Sequence, residues 1–208
     1  LRMEHYISGP GSAVGKDREG NRDAMESIGE KLGYQVHSVS PVISNEDSIS
    51  SSLIRTALAG GRTGEVVGML GRRFSVTGTI QRGQHRGREI GFPTANLSIG
   101  SPEYPIAIPA DGIYATWAIL DDGTRKMAAT SIGIRPTFDD GEERTVEAYL
   151  LDFDGDLYTR ALSLEFVRRL RPEEKFTSIE ALTKQMKKDV ENTRTILEQD
   201  NQAVEPKK

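Results

Sequence analysis

Five arginines, Arg72, Arg73, Arg82, Arg86 and Arg88, fall in a stretch without one acidic side chain, and Gly83 and Gly87 lie among them. A guanidinium can bind a phosphate through two parallel N–H donors, and glycine lets the backbone approach closely, so this composition suits a polyphosphate. A solvated basic turn is the alternative reading of the same residues. The stretch is not a Walker A loop, since no Gly-Lys-Ser/Thr follows, and it is not a Gly-x-Gly-x-x-Gly fingerprint.

Just downstream, Gly91-Phe92-Pro93-Thr94-Ala95-Asn96-Leu97 sets polar oxygens at alternate positions. On a strand over 94–99, Thr94, Asn96 and Ser98 share one face, and Ala95, Leu97 and Ile99 share the other. A hydroxyl and an amide oxygen aimed at one point are hard ligands. They suit Mg²⁺ that keeps its waters and takes its remaining ligands from a nucleotide's phosphates. A strand with a merely polar outer face carries the same pattern. Farther on, Val146, Ala148 and Leu150 alternate toward a core, which puts Glu147 on the opposite face with Thr145 and Tyr149. An outward Glu on a strand is ordinarily just solvated. Bordering a cleft, it can act as a general base toward a substrate hydroxyl. Asp139, Asp140, Glu142 and Glu143 upstream read as an acidic turn.

The rest of the composition narrows the chemistry. The 208 residues contain no cysteine, which removes disulfides, thiolate metal sites and cysteine nucleophiles, and His5, His37 and His85 are too scattered for a His-rich zinc site. No apolar run approaches the roughly 20 residues that cross a bilayer, and positions 1–5 lack the apolar stretch of a secretory signal, so a soluble, cytoplasmic chain without membrane contact is expected. A net charge of −4 argues against bulk nucleic-acid binding. The first residue is Leu1, directly followed by a strand-like segment, and the expectation is a piece of a longer protein.

The elements that must position these residues divide the chain in two. Met3 to Ser8 reads as a strand. Asn21 can cap a helix carrying Ala24, Ile28 and Leu32 that stops at Gly33, and Tyr34 to Val39 reads as a second strand. Ser50, Ser51 and Ser52 can cap a helix with Leu53, Ile54, Ala57 and Leu58 that ends at Gly60 and Gly61. Thr63 to Leu70 is a further helix, closed by Gly71. Two strands cannot form an independent α/β sheet, so residues 1–70 are expected to be the remainder of a larger α/β domain.

After Gly71 the apolar period becomes two. Phe74 to Ile80, Ala95 to Ile99, Ile113 to Ile119, Met127 to Ile134, Val146 to Leu150 and Leu162 to Phe166 give six strands between turns, which suggests a small closed barrel. Thr177 and Glu180 fit a capping box for a C-terminal helix whose Ile179, Leu182, Met186, Val190 and Leu197 can lie on the barrel. The expected domains are therefore 1–70 and 71–198, with a frayed polar tail over 199–208.

Four ordered motifs together resemble the riboflavin kinase module. They are Gly-Phe-Pro-Thr-Ala-Asn-Leu at 91–97, Ser-Ile-Gly-Ile-Arg-Pro-Thr-Phe at 131–138, Thr-Val-Glu-Ala-Tyr-Leu-Leu-Asp-Phe at 145–153 and Leu-Arg-Pro-Glu-Glu-Lys-Phe at 170–176. The resemblance covers about residues 71 to 197 and implies a six-stranded antiparallel barrel with a C-terminal helix. The part before Gly71 is similar to the end of the Rossmann-like, nucleotidyltransferase-type FMN adenylyltransferase domain that precedes this kinase in bacterial bifunctional FAD synthetases. Ser51, Ser52 and Arg55 match that domain's Ser-Ser-Thr-x-x-Arg motif, with Ser52 in place of Thr, where hydroxyls at a helix N-terminus and an arginine would grip a triphosphate. Gly11 and Ser12 stand where that family has an Asp-Phe pair, and its upstream histidine motif is not among these residues.

For the kinase half, the resemblance implies ATP and riboflavin as substrates, FMN and ADP as products, and Mg²⁺. Gly83, Arg86, Gly87 and Arg88, with Thr94, match the loop over the ATP phosphates, Thr94 and Asn96 the magnesium pair, and Glu147 the catalytic base. Arg171, Ile179 and Glu180 match positions that close over the flavin ring. Asp156-Leu157-Tyr158-Thr159 departs from the family's Tyr-Gly, which bears on the turn after Tyr158 and on closure of the flap. The expected activity is riboflavin kinase. The alternatives are a fragment of a bifunctional FAD synthetase and a non-catalytic flavin-binding barrel.

Overall fold

The computed structural model describes residues 3–44, 47–83, 87, 90–100, 106–136 and 142–204. Two compact units emerge, Leu1–Ser50 and Ser51–Lys208.

In the first unit, β1 (His5–Ser8) pairs in parallel with β2 (Gln35–Ser38), His5 standing opposite Gln35 and Ser8 opposite Ser38. Parallel neighbours need a crossover, and α1 (Arg22–Leu32) supplies it. Asn21 caps α1 as expected, its Oδ1 accepting the Ala24 N–H at 3.0 Å, and Gly33 ends it at φ 78°. A short antiparallel pair follows, β3 (Ile43–Ser44) and β4 (Asp47–Ser48), which no apolar periodicity signals.

The second unit holds α2 (Ser51–Ala59) and α3 (Thr63–Leu70), then six strands and a long helix. The strands are β5 (Phe74–Gln81), β6 (Ala95–Ser98), β7 (Gly112–Leu120), β8 (Arg125–Pro136), β9 (Glu142–Leu150) and β10 (Ala161–Arg171). They close in the order β10-β5-β6-β9-β8-β7, every neighbouring pair antiparallel. Closure leaves no unpaired edge, and Val76, Ile80, Val146, Ala148, Leu162, Leu164 and Phe166 fill the interior, as their alternation requires.

Strand β7 departs from simple alternation because both of its faces are covered. Tyr114, Ala118 and Leu120 point into the barrel, whereas Ala115 and Trp117 pack outward with Leu197 of α4 (Ile179–Val204).

By packing, the chain divides between Ser50 and Ser51, so that α2 and α3 go with the barrel. Ala57, Leu58 and Val66 of α2 and α3 are buried against Phe74, and the Ala110 N–H bonds to the Leu58 carbonyl at 2.8 Å, so these helices close one flank of the barrel. The polar segment from Gln199 onward was expected to fray, but α4 continues to Val204. Asp200 holds it there, accepting the Trp117 indole N–H at 2.7 Å and both Arg73 contacts at 2.8 and 2.9 Å. The cap of α4 is Ser178, not Thr177: Ser178 Oγ accepts the Ala181 N–H at 3.2 Å. Asp139 and Asp140 of the expected acidic turn lie outside the described residues, while the backbone of Glu142 and Glu143 already belongs to β9, opposite Pro136 and Arg135. Among the described residues no helix is long and apolar enough to cross a membrane.

Candidate active site

Glu147 occupies the centre of a three-strand row. Its register partner is Asn96 on β6 to one side and Ser131 on β8 to the other, while its chain neighbours Val146 and Ala148 are buried in the barrel. Alternation therefore turns Glu147 out of the core, onto one face with both partners. Thr94, just before β6, donates its hydroxyl to Glu147 Oε2 at 3.0 Å. Tyr149, on the Glu147 face, meets Phe92 edge-on at 5.2 Å between ring centroids, which anchors the segment carrying Thr94.

The glycines owe their type to close approach. A Cβ at Gly83 would overlap the Asn96 side-chain amide, and one at Gly87 would run into the Phe92 carbonyl. The Phe92 N–H bonds to the Gly87 carbonyl at 2.8 Å, so Gly87 lies close to Thr94 and Gly83 lies against Asn96. Arg86 and Arg88 lie outside the described residues. The remaining arginines of the basic stretch part company. Arg73 is committed to Asp200, Arg72 donates to the Arg73 carbonyl, and Arg82 lies over the Tyr158 ring at 5.4 Å.

Two clefts, each of about 650 Å³, open on this row. One is bounded by Arg82, Gly83, Asn96, Phe153, Asp156 and Tyr158, a polar space beside the glycines. The other runs from Phe92 and Ser131 to Arg171, Glu173, Ile179, Leu182, Met186 and Val190, with an apolar wall contributed by α4. Gly87, Thr94 and Glu147 line both. A group in one cleft thus meets a group in the other at the Glu147 carboxylate.

Of the residues expected at the flavin, Arg171 and Ile179 reach the second cleft. Arg171 is held by Asp189 through contacts of 2.7 to 3.1 Å, which raise its already high pKa, and Gln185 also bonds Asp189 at 2.9 Å. The Glu180 carboxyl turns to the first turn of α4, where its own backbone N–H and the Ser178 hydroxyl hold its pKa below the usual carboxylate range. The turn after Tyr158 keeps a left-handed residue without glycine: Thr159 adopts φ 66°, and its N–H bonds to the Ile80 carbonyl at 2.9 Å. Ser51, Ser52 and Arg55 stand exposed in the first part of α2.

Sequence reasoning missed Ser131, Glu173 and Asp189. Ser131 had a legible signal, lying in the 131–138 motif on a strand, but its pairing with Glu147 needed the sheet register.

Among the described residues no three His, Asp or Glu side chains gather as a metal centre. The oxygens at the junction are instead one hydroxyl, one amide and one carboxylate, from Thr94, Asn96 and Glu147. That sparse hard-oxygen set fits Mg²⁺, which retains waters and shares phosphate oxygens.

A closed six-stranded barrel thus carries two clefts that meet at one carboxylate. The riboflavin kinase family model (Flavokinase) matches residues 70–197, and the chain belongs to that family. It is 34% identical over 194 residues to the bifunctional riboflavin kinase/FMN adenylyltransferase of Listeria monocytogenes, covering 93% of this chain and 60% of that protein. The corresponding Pseudomonas fluorescens protein is 33% identical, with 94% and 61% covered. The chain therefore spans about 60% of the length of the curated relatives it matches. A solved structure described as a macrolide-efflux protein from Streptococcus pneumoniae superposes with a TM-score of 0.77 at 33% identity, over 90% of this chain and 60% of that one.

Proposed function

We propose that this chain is a riboflavin kinase, transferring the γ-phosphoryl group of ATP to the ribityl 5′-hydroxyl of riboflavin to give FMN and ADP. The observation that carries the reading is the junction itself: Gly87, Thr94 and Glu147 line both clefts. The polar cleft beside Gly83 and Gly87 suits the triphosphate, with Arg86 and Arg88 of the same loop as further phosphate ligands. The cleft with the apolar α4 wall suits the flavin ring. Arg171 and Ile179 bound that cleft, and Glu180 follows at the start of α4.

The 5′-hydroxyl oxygen attacks the γ-phosphorus as the bond to the β–γ bridging oxygen breaks, and ADP leaves with that electron pair. Glu147 accepts the hydroxyl proton. Thr94, through its 3.0 Å hydrogen bond, fixes which way the carboxylate faces. Thr94 and Asn96 would hold Mg²⁺, which when bound supplies positive charge to the phosphates. Positioning does most of the remaining work, because phosphoryl transfer asks little covalent chemistry of the protein.

In the same reading the sequence before Gly71 corresponds to the end of the adenylyltransferase part of the bifunctional relatives, and Ser51, Ser52 and Arg55 are its triphosphate motif. With Gly11 and Ser12 in place of that family's Asp-Phe pair, the chain makes FMN but no FAD. The partners are small molecules, ATP and riboflavin, without nucleic acid, and the setting is the cytoplasm. The test is incubation with riboflavin, ATP and Mg²⁺, followed by chromatography that separates riboflavin, FMN and FAD. Equal amounts of FMN and ADP are expected. Bound but unmodified riboflavin would favour a flavin-binding barrel, and FAD would favour the bifunctional reading.

A further inference from the structure

The segment joining β10 to α4 carries Glu173, a carboxylate that the proposed transfer does not use. It has a prepared seat. A Cβ at Gly133 on β8 would collide with both Glu173 carboxylate oxygens. Gly133 is not among the positive-φ glycines, so its backbone does not demand glycine; what the missing side chain provides is room for Glu173. Ser131 completes the seat by donating its hydroxyl to Glu173 Oε1 at 3.3 Å. Arg171, two residues earlier, is committed to Asp189, and among the described residues Glu173 forms no ion pair. Glu173 is exposed as a residue, yet the partial burial of its carboxyl is the main influence raising its pKa. The Ser131 bond and the Arg171 charge oppose it, and the charges of Asp111 and Glu147 add to the rise.

Position decides what this carboxylate would meet. Ser131 stands opposite Glu147 in the sheet, so Glu173 lines the flavin cleft next to the end where the hydroxyl reacts. The apolar wall of Leu182, Met186 and Val190, suited to the ring, belongs to α4. A carboxylate held in place beside the reacting end can accept hydrogen bonds only from donors, and a polyol chain offers several.

We propose that Glu173, seated on Gly133 and Ser131, is a ribityl-binding residue that accepts hydrogen bonds from side-chain hydroxyls other than the one phosphorylated. This rests on the kinase reading. It predicts that Glu173 discriminates flavins by their side chain, not by their ring.

The test compares binding of riboflavin and of lumiflavin, which shares the ring but has no ribityl chain, by quenching of flavin fluorescence. The proteins are the full chain and its Glu173→Ala, Glu173→Gln, Gly133→Ala and Gly133→Ala/Glu173→Ala variants. Glu173→Ala is expected to weaken riboflavin binding by about tenfold to a hundredfold, the scale of charge-assisted hydrogen bonds, and to leave lumiflavin unchanged. Glu173→Gln, which keeps an acceptor oxygen, should recover part of the loss. Gly133→Ala should reproduce the loss by displacing the carboxylate, and the double variant should be no worse than Glu173→Ala alone. Equal losses for both flavins, no loss for riboflavin, or additive losses in the double variant would overturn the proposal. If the unaltered chain binds both flavins yet forms no FMN, the kinase reading fails, and the binding comparison still decides the role of Glu173.

Discussion

The Thr94 hydroxyl and the Glu147 carboxylate, 53 positions apart, are joined by a 3.0 Å hydrogen bond that ties the end of the glycine-rich segment to the centre of β9. Thr94 is thereby a structural partner of the proposed base as well as a candidate ligand. Asn96 is the direct register partner of Glu147 and takes no part in the Thr94 hydrogen bond.

Replacing Asn96 with Ala should therefore raise the Mg²⁺ concentration needed for half-maximal turnover and weaken ATP binding, with little change in melting temperature, because a ligand is lost and the interior is not touched. An Mg²⁺ titration of FMN formation checks this. A titration identical to that of the unaltered chain would remove Asn96 from the metal site.

Thr159 carries backbone strain that a β-branched residue does not tolerate well. At φ 66° it occupies the left-handed region. Thr159→Gly should stabilise the protein by about 1 kcal/mol, the relief of strain exceeding the added freedom of the unfolded chain. Urea unfolding would show the gain as a higher midpoint at unchanged slope. A lower midpoint would mean that contacts of the threonine side chain outweigh the strain.

Two deletions distinguish the packing boundary from the one expected at Gly71. Removing residues 1–50 should leave FMN formation and the thermal transition of the barrel close to those of the full chain, since Ser51–Lys208 is one compact unit. Removing residues 1–70 takes away Leu58 and Val66, each fully buried and each worth about 1.5–3 kcal/mol, and uncovers Phe74. The shorter protein should melt at least several degrees lower in circular dichroism. Equal melting of the two would show that α2 and α3 add nothing to the barrel.

Much of the barrel was legible in the sequence, because a strand wet on one face writes its orientation in every second residue. Val146, Ala148 and Leu150 announce which way Glu147 faces, and Ala95 and Leu97 do so for Asn96. Where both faces are covered the code fails. On β7, Trp117 and Ala118 are both buried, one under α4 and one in the barrel, so periodicity cannot say which is which. Long-range polar pairs leave no local trace either. Asp200 reads as a tail residue until Trp117 and Arg73 are brought to it, and Glu173, an exposed loop acid, gives no sign in the sequence that its carboxylate lies over Gly133. Helices α2 and α3 were legible as helices, from their glycine stops, but not as barrel partners. Their buried residues show an apolar face without saying what covers it.

The most direct test of the central claim is turnover by Glu147→Gln, which preserves size and the ability to accept the Thr94 hydrogen bond but cannot take up the hydroxyl proton. With saturating riboflavin, ATP and Mg²⁺, FMN formation should fall by about 10² to 10⁴, the usual weight of general base catalysis, while ATP binding stays the same. FMN formation at the rate of the unaltered chain would contradict the assignment of Glu147 and with it the account of how the two clefts act together.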